Sequence, residues 1–183
     1  MKAESIYPDL LDRMRIIIEH SNELFYLHDT NHILSYVSPT STKILGYSPE
    51  EMMINWTDLS TDNPINQKGF EFTEQAILTG ERQPPYLVEV KKKDGMNVLI
   101  EVNESPVKDK TGKVIAIVGA LRDVTQRKLA EKALEESEER FRDLAELLPE
   151  IIFEVDNQGN LTFVNQSAYV LFLDLQARSF QVR

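Results

Sequence analysis

Apolar segments of two different periods alternate along the first two thirds of the chain, and their order is the feature that most limits the fold. Five segments have the β-branched, aromatic or alternating character of strands: residues 24–28, 33–37, 86–92, 97–107 and 113–124. The turn residues Asp29, Thr30 and Asn31 separate the first two segments, and the pair Asp94 and Gly95 gives a strong hairpin signal between the third and fourth. This order predicts an α+β domain with a five-stranded antiparallel sheet and helices over one face.

Helical periodicity fills the gap between the second and third strands. Short helices are predicted at residues 40–45 and 49–54, where Ser48 can cap the second one. A longer helix is predicted over residues 66–79, and Gly80 follows it as a C-cap.

Two flanking segments predict amphipathic helices whose apolar faces need a partner. In residues 1–21, apolar residues at positions 10, 14, 17 and 18 share one helix face. In residues 126–148, apolar or small residues recur in alternating steps of four and three, which is typical of a coiled coil: Ala130, Leu134, Ser137, Phe141, Leu144 and Leu148. Both helices are therefore expected to form a homodimer or to bind another protein.

An internal repeat begins near Pro149. One sequence offset pairs Asp29 with Asp156, and the same offset pairs Leu34 with Leu161, Tyr36 with Phe163, Val37 with Val164 and Ile44 with Leu171. The similarity fades after Leu171, and the three closing strands have no counterpart. We interpret residues 149–183 as the start of a second, incomplete copy from a longer parent, whose two strands cannot bury their apolar faces alone.

Composition argues against several functional classes. The net charge of −10 and pI near 4.8 disfavour contact with nucleic-acid phosphates. Without cysteine the chain has no disulfide or thiolate metal site, and this composition fits a cytoplasmic compartment. No apolar run approaches the roughly 18 residues of a membrane span. No catalytic motif occurs, so we expect no enzyme in this chain, and His28 and His32 flank a turn that should not converge them on a metal.

Motifs spread between residues 22 and 125 resemble those of the PAS sensor domain family, including its C-terminal PAC half. They are Ile44-Leu45-Gly46-Tyr47-Ser48-Pro49-Glu50-Glu51, Lys93-Asp94-Gly95, Ser105-Pro106-Val107, Asp109-Lys110-Thr111-Gly112 and Asp123-Val124-Thr125. The resemblance implies a sensory module that binds a small molecule or relays a signal through a dimeric helix. The output domain would be a histidine kinase or a related domain of a two-component phosphorelay. The alternative is a dimerisation or protein-interaction module without a ligand.

The resemblance also bears on cofactors. Haem-binding relatives carry a histidine on the long helix before the third strand, and residues 66–79 contain none. Relatives that form a flavin photoadduct, or that carry a covalent chromophore, need a cysteine, which this chain lacks. Two uses of the core therefore remain possible. One is to bind a noncovalent small molecule, such as a flavin flanked by Trp56, Phe70 and Phe72. The other is a core filled by protein side chains alone.

Two polar residues stand where apolar ones are expected. His28 takes a position that the repeat fills with Val155, and Glu104 continues the alternation of apolar residues along its strand. A buried polar group must be hydrogen-bonded or shift its pKa, so a polar ligand could satisfy both. The pocket candidates are His28, Trp56, Phe70, Phe72, Ile77, Tyr86, Val102 and Glu104. The resemblance assigns signal relay to Asp123 and Thr125, with Thr125 as an N-cap.

Overall fold

One antiparallel sheet organises the first part of the chain. The computed structural model describes residues 9–171, and the chain divides into two units, residues 1–126 and 127–183. The strands of the first unit are β1 (Leu24–His28), β2 (Leu34–Val37), β3 (Tyr86–Lys91), β4 (Asn97–Lys108) and β5 (Val114–Asp123). They pair in the order β2-β1-β5-β4-β3, and every neighbouring pair is antiparallel. The predicted five-stranded α+β fold is confirmed.

The connection from β2 to β3 carries the helices that cover one face of the sheet. It contains α2 (Ser41–Ile44), a 3₁₀ helix (Trp56–Leu59) and α3 (Ile65–Thr79). The helix α3 packs on β3, β4 and β5. It comes close to β3 at Gly69, where a Cβ atom would overlap the Val88 side chain. Gly80 ends α3 at a φ of 67°, so the predicted glycine C-cap is confirmed.

The helix predicted at residues 49–54 is wrong. Ser48 and Glu51 do form the reciprocal side-chain to backbone bonds of a capping box. The backbone then turns, because the Ile54 carbonyl accepts a hydrogen bond from the Leu34 N–H and the Trp56 N–H bonds the His32 carbonyl. These hydrogen bonds to β2 and the loop before it use backbone groups that a helix over residues 49–54 would need. A helical turn forms instead over Trp56–Leu59.

Within the N-terminal segment 1–21 the structure contains the helix α1 (Leu10–Glu19), and residues 1–8 of that segment lie outside the described residues. The side chain of Asp9 caps it by accepting hydrogen bonds from the backbone N–H groups of Leu11 and Asp12. None of its residues is buried, and four of its apolar side chains are exposed in the described structure: Leu10, Leu11, Met14 and Ile17.

The core lies between the sheet and its covering helices. Its largest cluster draws on every strand but β5 for buried side chains, and includes Leu24, Val37, Leu45, Val88, Val98 and Ile100. A smaller cluster, formed by Ala76, Val114 and Ile117, lies between α3 and β5. Alternate residues of β4 belong to this buried face, as their sequence alternation predicts.

The second unit repeats the first strand pair. The helix α4 (Thr125–Leu147) leads to β6 (Phe153–Val155) and β7 (Leu161–Val164), which pair antiparallel. Asp29 accepts hydrogen bonds from the backbone N–H groups of residues 31 and 33, and Asp156 accepts the equivalent bonds from residues 158 and 160. Several apolar side chains of this pair are exposed in the described residues: Phe153, Val155 and Leu161. That α4 forms a coiled coil stays a prediction.

Candidate functional site

A carboxylate lies in the apolar core on the covered face of β4. Glu104 is 3% exposed, and it follows Val98, Ile100 and Val102 along that face. Its Oε2 accepts a hydrogen bond from the Tyr26 hydroxyl at 2.8 Å, and its Oε1 accepts one from the Thr73 hydroxyl at 2.8 Å. The Tyr86 hydroxyl lies 2.8 Å from the Thr73 oxygen and donates to it, since the Thr73 proton is directed to Glu104. A chain of hydroxyl donors therefore ends on one buried carboxylate.

Both phenols keep their protons in this arrangement. Burial raises the pKa of Tyr26 well above its ordinary value, and the negative charge of Glu104 raises it further. Burial also raises the pKa of Tyr86, with Glu104 as the second cause. Tyr26 therefore donates its hydrogen bond to Glu104, and Tyr86 donates its own to Thr73.

A glycine lets the Tyr26 side chain reach the carboxylate. Tyr26 on β1 pairs with Gly119 on β5, and Gly119 pairs with Glu104 on β4, so the three residues form one row across the sheet. A Cβ atom at position 119 would overlap the phenol end of Tyr26. The phenol therefore crosses the middle strand above Gly119 to bond Glu104.

A small cavity of about 50 Å³ adjoins the carboxylate. Its lining combines aliphatic side chains with the aromatic residues Tyr26, Trp56 and Tyr86 and with Glu104. Drug-sized ligand pockets span roughly 300–1,000 Å³, whereas one water needs about 10–15 Å³. The cavity has room for a group of a few heavy atoms, and a flavin would require the core to open.

Half of the predicted pocket residues line this cavity: Trp56, Tyr86, Val102 and Glu104. The other four do not line it. Phe70 stacks on Trp56, with ring centroids 5.3 Å apart, and Phe72 meets the edge of Tyr86 at 5.7 Å. Ile77 packs against the smaller cluster beneath α3. Since Phe70 and Phe72 contact different aromatic partners, they do not flank one shared space in the way a flavin sandwich would require.

His28 lies at the end of β1 within a group of rings. It is fully buried, stacks parallel to Tyr26, and its Nδ1 lies 2.6 Å from the Asp29 carbonyl. The His32 ring is 5.7 Å away between centroids, and its Nε2 bonds Glu74 at 2.9 Å. The two rings meet because His32 adopts a left-handed φ of 66° that turns the loop back on itself.

Three buried nitrogens of this ring group have no hydrogen-bond partner among the described residues: His28 Nε2, His32 Nδ1 and Trp56 Nε1. Within the same residues, no set of three or more histidine, aspartate or glutamate side chains is placed to hold a metal ion. The ring group therefore lacks the ligand number that protein metal sites ordinarily supply.

Two members of the carboxylate network, Tyr26 and Thr73, were not among the predicted site residues. Tyr26 precedes His28 by two positions and therefore shares its face of β1. Thr73 lies on the face of α3 that periodicity directs toward the sheet. Both signals place a hydroxyl on the core side, but neither indicates which residue across the sheet it meets.

Comparison with known families identifies the fold. A family model described as PAS domain matches residues 22–126, more than half of the chain. The chain belongs to the PAS domain family. A second PAS domain model matches residues 139–180, in agreement with the internal repeat. No curated protein is similar enough to the chain to count as a match. Family membership supports a sensory signalling module.

Solved structures share this PAS fold at low sequence identity. A PAS domain from Colwellia psychrerythraea is 18% identical with a TM-score of 0.56, and the match covers 64% of this chain and 99% of that one. A sensory box histidine kinase/response regulator from Burkholderia thailandensis is 20% identical with a TM-score of 0.58, over 72% and 98% of the chains. An RNA-binding light-oxygen-voltage receptor is 21% identical with a TM-score of 0.60, over 76% of this chain and 40% of the receptor.

The PAS domain ends in a hydrogen-bonded junction with α4. Thr125, predicted as the N-cap, is instead the first residue of α4, and its hydroxyl accepts a bond from the Leu99 N–H on β4 at 2.9 Å. Asp123 accepts a bond from the Thr125 N–H at 2.9 Å, and the Val124 N–H donates to the Leu99 carbonyl at 3.0 Å. The start of α4 is thereby tied to the strand that carries Glu104. No helix within residues 9–171 is long and apolar enough to cross a membrane.

Proposed function

We propose that this chain is the sensory part of a cytoplasmic signalling protein, in which the PAS domain binds a small molecule beside Glu104 and α4 passes the signal on. The parent would be a sensor histidine kinase of a two-component phosphorelay. The structural similarity to a sensory box histidine kinase/response regulator supports this choice of output.

The observation that carries the proposal is the position of two contacts on one strand. Glu104 meets the cavity, and Leu99, five residues earlier on β4, holds Thr125 at the start of α4. At about 3.3 Å per residue, these positions lie roughly 17 Å apart along a single strand. A ligand that shifts β4 against its neighbours would therefore also move the anchor of α4.

Such coupling needs a ligand that binds two states of the domain with different affinity. In one state, the Asp123 carboxylate would hold the Thr125 N–H, and the Thr125 hydroxyl would hold Leu99 on β4. Loss of these contacts would release the start of the helix while the sheet core stays intact. The junction thus acts in transmission and not in ligand binding.

Asp123→Ala tests this role in a fusion of the chain to a reporter histidine kinase. We expect the variant to keep its melting temperature and ligand affinity and to lose the ligand-dependent change in autophosphorylation, because the Thr125 N–H loses its acceptor. Asp62→Ala, on the exposed loop before α3, is the control and should respond like the wild type. A compound panel screened by thermal shift supplies the ligand. Full ligand response in Asp123→Ala would rule out the mechanism.

A second function, a dimerisation or interaction module without a ligand, is favoured by the uncovered apolar faces of the helices. Leu10, Met14 and Ile17 on α1 are each more than half exposed, as are Leu134 and Leu144 on α4, among the described residues. If no compound of the panel changes the melting temperature of the chain, this function is favoured over sensing.

A further inference from the structure

The polar chemistry of the cavity is unbalanced. Nearly all of the cavity surface is apolar, and Glu104, whose two oxygens are bonded to hydroxyls, is the one charged residue that lines it in the described part of the chain. Its partners are neutral hydroxyls, which solvate the charge without neutralising it. A buried charge is costly unless it is paired, so a positively charged occupant would gain more here than a neutral one of equal size.

The aromatic residues of the lining also favour an occupant with positive charge. Tyr26, Trp56 and Tyr86 all line the cavity beside Glu104. The faces of such rings carry partial negative charge and attract cations, with tryptophan the strongest of the three types. Aromatic cages with a nearby carboxylate suit ammonium groups that carry methyl substituents, because the methyl groups contact apolar surface while the charge is spread over them.

We propose that the cavity takes a small organic cation, an amine or methylated ammonium group of a few heavy atoms. This inference rests on the proposed sensory function and names the ligand class of that site. The remaining lining is aliphatic, with Leu24, Met52, Val88 and Ile100 among it, which disfavours a bare metal ion. The cavity volume of about 50 Å³ limits the group that enters the unexpanded core to a few heavy atoms.

Three probes of equal size separate charge from shape. Trimethylammonium, isopropanol and acetate each contain about four heavy atoms and carry positive, zero and negative charge. Each is titrated into the full chain at matched ionic strength, with sodium chloride as the blank, and backbone amide shifts are followed by NMR. A ligand this small binds no tighter than roughly tens of micromolar, so the titrations extend into the millimolar range. We expect saturable shifts on β4 with trimethylammonium and at least tenfold weaker binding of the other two.

Two variants locate the effect. Glu104→Gln removes the charge at nearly constant volume and should weaken trimethylammonium binding at least tenfold without changing the affinity for isopropanol. Trp56→Leu keeps the carboxylate and removes one ring, and it should weaken the cation roughly threefold to thirtyfold. Glu71→Gln, on the exposed side of α3, is the matched control and should bind like the wild type. Because the two variants act on different groups, failure of one to fold leaves the other as a test.

Each contrary result has a separate meaning. Isopropanol or acetate binding as tightly as trimethylammonium would overturn the cation assignment while the sensory function stands. Absence of saturable trimethylammonium binding would overturn it as well. The sensory function itself fails if the wider compound panel also finds no ligand. An unchanged ligand response of the fusion kinase in Asp123→Ala would overturn only the relay through Asp123.

Discussion

At the scale of single residues, His28 is the side chain whose burial most directly predicts a pH effect. It is fully buried, and burial lowers the pKa of its imidazole below the ordinary value of 6.5. The charged or titratable groups around it are Asp29, His32, Tyr26 and Glu104. Asp29 and Glu104 favour the protonated ring, but desolvation outweighs them.

The sign of the stability effect follows from proton uptake. As pH falls below 6.5, the unfolded chain protonates His28 while the folded chain does not, so the free energy of unfolding decreases until the folded-state pKa is passed. His28→Val, which copies Val155 of the repeat, should reduce the loss of stability between pH 7.5 and about pH 5, measured by urea unfolding. His20→Gln leaves His28 in place and should keep the wild-type slope. An unchanged slope in His28→Val would contradict the assignment.

The sequence predicted some of these residues and not others for a physical reason. Alternation along β4 placed Glu104 on the core face, because the side-chain period of a strand is fixed. It could not identify Tyr26 and Thr73 as partners, since strand order and register across the sheet set those contacts. The contact between the His28 and His32 rings could not be predicted either, because it depends on a left-handed backbone at His32. The second copy has Gly159 at the equivalent position, also with positive φ.

At the scale of elements, Gly119 on β5 allows a side chain of β1 to bond a side chain of β4. Gly119→Ala places a methyl group against the Tyr26 phenol and should break its bond to Glu104. We expect a loss of about 1–3 kcal/mol in the free energy of unfolding, typical of overpacking. The cost should nearly vanish in a Tyr26→Ala background, which removes the overlapping ring. An equal cost in both backgrounds, measured by a double-mutant cycle in urea, would mean that Gly119 acts on the backbone alone.

Elements with a strong period were predicted well, and the exception has a specific cause. The five strands of the large sheet and the helices α3 and α4 form within a few residues of their predicted bounds, and α1 lies inside the predicted segment 1–21. Residues 49–54 have the composition of a helix start, with Ser48 and Glu51 in the positions of a capping box. Non-local pairing of Ile54 with Leu34 overrode that local preference. Sequence periodicity carries no information about such a competing partner.

At the scale of the whole molecule, the apolar seam of α4 predicts the oligomeric state. Leu134 and Phe141 are 61% and 50% exposed in the described structure, and a second copy would cover them. We expect a homodimer by light scattering, and the double variant Leu134→Gln and Phe141→Gln should shift it to a monomer. Lys132→Gln, on the charged face, is the control and should remain dimeric. A monomeric wild type, or a double variant that stays dimeric, would contradict dimerisation through this seam.

The two copies of the repeat share a hydrogen-bonded frame but not their buried chemistry. Ser38 accepts a bond from the Phe25 N–H at 3.0 Å, and Asn165 accepts the equivalent bond from the Ile152 N–H at 3.0 Å. Where the first copy carries His28 and His32, the second carries Val155 and Gly159. The scaffold was predictable from the repeat, whereas the polar residues mark what is particular to the first copy.

The chain of hydroxyls that ends on Glu104 also provides a way to measure how often the core opens to water. The protons of Thr73, Tyr26 and Tyr86 are shielded in the interior and can trade places with deuterons only when bulk water reaches them. Their exchange rates therefore record how often the covering helices part from the sheet. That frequency bounds how quickly a molecule larger than the cavity can enter the core.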